Sequence, residues 1–273
     1  MPRTLLAFLL AVAAAIGGGC APQYMVPTPG QGALAAAQRE IAMAPPLRQH
    51  ARGPDDQMDM LRRVATRVFA AAQPICQARR GGQGCGFRVA YDPSDKINAY
   101  AAGSGDVAVT AGLLRVVDGD AELAAVVAHE FGHHIAGHIG RARTRSTVGA
   151  LAGAVVGAYT GLGNLSGLGA NVGRLVYSKA DEREADYLAA YITARAGYDL
   201  REASGIWAKL AGSRGQATAG LLDTHPAGPE RLAAWEIAER EIAALKSKNL
   251  LAGIDAIAAK SKDMWGIGYI AHR

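Results

Sequence analysis

Residues Ala128 to His138 read A-H-E-F-G-H-H-I-A-G-H and hold four of the seven histidines in a chain of 273 residues. Within them, His129-Glu130-x-x-His133 has the H-E-x-x-H spacing of zinc hydrolases: two imidazoles one helical turn apart share a metal, and the intervening carboxylate acts as a base. At about 100° per residue the two histidines lie about 40° apart on a helix, so both rings reach one ion. Leu123, Val127, Phe131 and Ile135 fall on the opposite side. One face is therefore expected to bind metal and the other to pack into a core. His134 and His138 fall on the packing side and read as core or inter-helix histidines.

Two histidines do not complete a catalytic zinc site, which needs a third protein ligand and an open position for water. The stretch Y-S-K-A-D-E-R-E-A-D-Y-L-A supplies a candidate, because Glu182 and Asp186 stand one turn apart. Glu182 could ligate while Asp186 accepts the outer N–H of a ligand histidine and fixes its tautomer. Glu184 points about 160° away from Glu182 and is expected to face solvent. Glu130, about 100° round from His129, is the expected general base that takes a proton from water and passes it to the leaving amine.

I-N-A-Y before a glycine turn, V-T-A-G-L-L, L-A-A-V-V-A-H-E-F-G-H, S-K-A-D-E-R-E-A-D and T-H-P-A-G-P-E-R-L span about Ile97 to Leu232. Together they resemble the HtpX-like and CAAX-prenyl-protease-type zinc metallopeptidases, most closely their periplasmic lipoprotein branch. The resemblance implies an α+β domain of zincin (gluzincin) type, mostly helical with a small β-sheet. It implies one zinc per chain on His129, His133 and Glu182, with Asp186 as the motif aspartate. The family's H-P-x-x-x-x-R element corresponds to His225, Pro226 and Arg231, so His225 is expected either to take the open zinc position at rest or to contact the oxyanion; a loop histidine capping the last helix is the other reading. Tyr177 and Tyr187 are further oxyanion candidates. The strand Asp106, Val107, Ala108, Val109 to Thr110 resembles the edge strand on which zincins lay substrate. Lys179 stands where the family has Arg. The implied activity is a metalloendopeptidase acting on unfolded or misassembled envelope proteins, in quality control. The rival from another class is a chaperone-like or scaffolding lipoprotein whose zinc is structural or autoinhibited.

The first twenty residues, M-P-R-T-L-L-A-F-L-L-A-V-A-A-A-I-G-G-G-C, have the layout of an export signal ending at Cys20. As in the bacterial lipobox, Cys20 would be lipidated, although Gly17 stands where Leu is usual; an ordinary cleaved signal and an uncleaved anchor are the alternatives. The expected location is the bacterial cell envelope, facing the periplasm, with a lipid anchor in the outer membrane. Cys76 and Cys85 flank the turn R-R-G-G-Q-G and would pair in an oxidising compartment, the alternative being two buried thiols. The net charge is +5, but there is no run of five Lys or Arg and aromatics make up only 6%. Nucleic acid is not an expected partner.

Residues 21–54 are rich in Pro, Gln and Ala and read as a flexible tether, 55–245 as the peptidase domain, and 246–273 as an extension packing on it. Leu61, Val64, Val68 and Ala72 predict a first helix ending before Pro74. F-R-V-A-Y, I-N-A-Y-A-A and D-V-A-V-T read as strands, and A-G-L-L-R-V-V as a short helix. A long helix is expected from the D-G-D at Asp118–Asp120 to about Arg141, a second from Ser178 to Ala196, and a last through Trp235 and Leu245. Between them Ser146 to Gly173 is uncharged, with Gly149, Gly153, Gly157 and Gly161 in four-residue steps. A single membrane span there would separate His129 and His133 from Glu182. A helical hairpin is expected instead, packing through its small face or touching a membrane or partner.

Overall fold

The segment expected as a tether carries a helix over Gln31–Met43. The computed structural model describes residues 26–81, 83–102, 105–168, 177–213, 225 and 228–247. The readings of the leader and Cys20, and of the extension beyond 247, lie outside them. Helix α1 (Gln31–Met43) buries Ala37 and packs Leu34 and Ile41 on the core. These three recur at i, i+3 and i+7, an apolar stripe made inconspicuous by the alanines around it. Arg52 ties the following segment down by donating to the carbonyls of Leu114, Val117 and Asp118 at 2.9, 2.6 and 3.0 Å.

Helix α2 (Pro54–Arg80) does not stop before Pro74 but runs through it to Gly81, which takes the left-handed conformation at φ 58°. Proline removes one donor from the helix, and the buried Ala71, Ala72, Ile75 and Cys76 on either side hold the turn in place. Cys76 and Cys85 lie at disulfide distance, their Cα atoms 5.7 Å apart.

A three-stranded sheet follows, with β1 (Arg88–Asp92), β2 (Ala99–Ala102) and β3 (Asp106–Thr110) in the order β1-β3-β2. β3 is therefore the central strand, parallel to β1 and antiparallel to β2, and not the expected edge. Both sides of its backbone are already paired, so no substrate strand can be added to it. Helix α3 (Ala111–Val116) leaves the sheet at Gly112, where a Cβ would come 2.2 Å from the Asp95 carbonyl oxygen.

Helix α4 (Asp120–Ile135) starts without a side-chain cap on Gly119; instead Glu122 accepts from the Asp118 N–H at 2.8 Å. It ends at Ile135 rather than Arg141, because Gly137 turns the chain at φ 74°. Beyond lie α5 (His138–Thr160), α6 (Lys179–Arg195), α7 (Leu200–Gly212) and α8 (Pro229–Ser247). Within the span expected as one domain, two compact units form: Gly137–Tyr177 belongs to one, and 24 to Ala136 with the residues from Ser178 onward to the other.

In the larger unit α4 is buried on every side, packed against α2, α6, α7 and the sheet. Phe131 stacks on Phe87 with centroids 4.4 Å apart, and Leu123, Val127 and Ile135 are buried beside it. Helix α7, not anticipated from the sequence, is capped by Asp199 accepting from the Arg201 and Glu202 N–H groups, and it buries Ile206, Trp207 and Leu210. In the smaller unit, α5 closes on the turn after it at Gly157, where a Cβ would come 1.9 Å from the Gly163 carbonyl oxygen. Gly149, Gly153 and Gly161 are not buried, and 169–176 are not described, so the second arm of the expected hairpin lies outside the described residues. Among the described residues no helix is long and apolar enough to cross a membrane.

Candidate metal centre

Helices α4 and α6 meet backbone to backbone. A Cβ on Gly132 would come 2.7 Å from the Ala185 carbonyl oxygen, so the glycine between Phe131 and His133 lets the two helices close. Ser178 starts α6 with a capping box shared with Asp181, which places Glu182 in the first turn. His129, His133 and Glu182 are thereby brought together, and His225 joins them: one ligand atom from each lies within 4.8 Å of all the others. His129 Nε2 is 3.0 Å from His133 Nε2 and 3.2 Å from His225 Nδ1; Glu182 Oε1 is 3.0 Å from His225 Nδ1 and 3.5 Å from His133 Nε2. Ligand atoms around a tetrahedral ion with bonds of about 2.1 Å stand about 3.4 Å apart, close to these separations.

Charge points the same way. Glu130, Glu182 and Asp186 are all buried against a single buried guanidinium, that of Arg231. With neutral imidazoles, the ionised Glu182 and Asp186 outnumber the one guanidinium, and a cation would offset the excess negative charge. Nitrogen donors with one carboxylate suit zinc.

Around this cluster, Asp186 Oδ1 accepts from His129 Nδ1 at 2.9 Å, leaving Nε2 to face the other ligand atoms. Arg231 donates to both oxygens of Asp186, from Nε at 2.8 Å and Nη2 at 2.7 Å. Burial works against the Asp186 charge, but Arg231 and His129 outweigh it and hold the carboxyl below its ordinary range. Glu182 is held well below its range in the same way: burial opposes, and His225, Arg231 and the two motif histidines prevail. Burial pushes Glu130 up instead. Neither of its oxygens has a hydrogen-bond partner among the described residues, and His225 Nε2 lies 3.5 Å from Oε1. A buried carboxyl with raised pKa and free lone pairs suits a proton carrier.

Other readings fare differently. Glu184, expected in solvent, is fully buried, because α6 is covered around its circumference through these turns. Tyr187 donates to Glu241 at 2.6 Å and lies against Tyr191, so its hydroxyl is engaged away from the cluster. Tyr177 lies against His138, with centroids 6.0 Å apart. His134 bonds the Asp106 backbone oxygen at 3.1 Å, a structural contact in keeping with a packing role. Lys179 pairs with Glu230 at 3.0 Å on the surface. Trp207, whose ring lies 4.5 Å from the Arg231 guanidinium carbon, had no motif to announce it.

The chain matches the profile of peptidase family M48 over residues 63–239, more than half its length. It is 33% identical to the mitochondrial metalloendopeptidase OMA1 of Arabidopsis thaliana over 135 residues, covering 50% of this chain and 28% of that one. It is 29% identical to the yeast mitochondrial metalloendopeptidase OMA1 over 153 residues, covering 54% and 44%. To the beta-barrel assembly-enhancing protease of Yersinia pestis it is 29% identical over 153 residues, covering 51% and 32%. The chain thus spans less than half the length of these relatives. M48 metallopeptidases depend on zinc, and the His129, His133, Glu182 and His225 cluster fits that ion. On its matched profile, with the histidine and carboxylate motifs in one cluster, the chain belongs to peptidase family M48.

Proposed function

We propose that the chain is a zinc-dependent metalloendopeptidase of the bacterial cell envelope, with His129, His133 and Glu182 holding the ion and Glu130 as general base. The observation that carries this reading is the convergence of the four ligand atoms beside a buried Glu130 without hydrogen-bond partners among the described residues. When bound, zinc supplies a Lewis acid that polarises the scissile carbonyl and lowers the pKa of water to about 7. Glu130 takes the proton of the attacking water and delivers it to the departing amine. Asp186 holds His129 by its Nδ1–H. His225 stands where the fourth position would be, so in this arrangement it closes the site and has to withdraw before substrate enters. The open edge nearest α4 is β2, which takes the place of β3 as the strand for an extended substrate.

Unfolded or misassembled envelope proteins are the proposed substrates. The Yersinia relative is named for β-barrel assembly, and the leader-like N-terminus and a cysteine pair at disulfide distance suit an oxidising, exported setting with a lipid anchor at Cys20. Zinc analysis and casein cleavage by the purified chain, with and without a chelator, test the reading. One zinc per chain and chelator-sensitive cleavage are expected; a zinc-free preparation that cleaves casein would rule it out.

A further inference from the structure

We propose that Arg231 is a positioning residue of this centre, setting the Glu182 and Asp186 carboxylates of α6 and the ring of His129 in the arrangement the metal needs; this rests on the zinc-peptidase reading above. Arg231 lies in the first turn of α8 and uses three nitrogens on two acids. Nε and Nη2 grip the two oxygens of Asp186 at 2.8 and 2.7 Å, while Nη1 forms an ion pair with Glu182 Oε2 at 3.2 Å. That contact fixes Oε2 beside His129 Nε2, 3.4 Å away, and turns Oε1 toward His133 and His225, at 3.5 and 3.0 Å. The guanidinium therefore sets the rotation of the Glu182 carboxylate, and with it which oxygen each histidine meets.

The same group also holds a ligand ring. Nη2 is 3.2 Å from His129 Nδ1 and 3.3 Å from Nε2, near-equal distances that set it against the ring as a whole and not on one nitrogen. Trp207 backs the guanidinium at 4.5 Å and has its ring centroid 5.3 Å from that of His129. A planar fork with an aromatic floor can meet all of these partners at once, whereas a lysine ammonium is a single point charge and cannot.

Cobalt substitution of the full chain tests this, because the visible spectrum of Co²⁺ reports ligand geometry without reference to turnover. Arg231→Lys should bind cobalt about 10- to 100-fold more weakly, the loss typical when a residue supporting metal ligands is removed, and with an altered spectrum. Trp207→Leu should move both readouts in the same direction by less, and Trp207→Phe should restore them. Wild-type affinity and spectrum in Arg231→Lys would overturn the proposal. If that variant fails to fold, a wild-type spectrum and affinity in Trp207→Leu does so instead. Wild-type protein that takes up neither cobalt nor zinc would overturn the zinc reading together with this one, whereas normal uptake with indifferent variants would overturn this one alone.

Discussion

Glu182 and Glu184 stand two residues apart on α6 and both are buried, yet only Glu182 reaches His129 and His133. Glu182→Ala is expected to lose most of the zinc and all cleavage. Asp186→Ala, which frees His129 Nδ1, should weaken zinc by about 10- to 100-fold. Glu184→Ala should keep its zinc but lose about 1–3 kcal/mol of stability, since it empties a buried polar position. Metal analysis and thermal melts of the three variants separate these outcomes; loss of zinc in Glu184→Ala alone would mean that the wrong carboxylate has been placed at the centre. The contrast also shows how far residues were legible. That His129 shares a face with His133, and Glu182 with Asp186, could be read from sequence because helical geometry fixes residues four apart, whereas the meeting of the two pairs was only implied by the family resemblance. The burial of Glu184 and the place of Trp207 depend on what packs against their helices, which no local pattern records.

At the scale of elements, the centre depends on how closely α4 and α6 approach. Gly132→Ala would drive a methyl toward the Ala185 carbonyl, and backbone cannot swing aside. A loss of about 1–3 kcal/mol is expected, with weaker zinc binding as the histidines are pushed from Glu182. Gly140 on α5 is the control, since a methyl added there would meet nothing within 4 Å: Gly140→Ala should be neutral or stabilising by up to about 1 kcal/mol. Equal losses in both would show that helix approach at Gly132 is not what matters. The three strands were legible as strands, and the helices beginning at Lys179 and Pro229 as helices, while α7 and its Asp199 cap went unread. Boundaries were not: Pro74 did not stop α2, since buried neighbours outweigh one lost hydrogen bond, and Gly137 ended α4 six residues early. The order of the sheet escaped too, because alternation marks Asp106–Thr110 as a strand without saying which strands lie beside it.

For the whole molecule, the class was legible from the joint occurrence of H-E-x-x-H and E-x-x-x-D, while the helix at Gln31–Met43 was hidden by a composition that resembles a linker. The cysteine pair at disulfide distance gives a test of the proposed exported setting. Mass spectrometry of unreduced peptides from envelope fractions should find Cys76 joined to Cys85, and replacing both with serine should cost about 2–4 kcal/mol in non-reducing melts. Free thiols in envelope material would count against export. Assaying Glu130→Gln beside wild type for bound zinc and casein cleavage in one preparation shows whether Glu130 transfers protons at a zinc centre it does not help to hold. One zinc per chain with cleavage abolished is the predicted result; full cleavage by Glu130→Gln would contradict it.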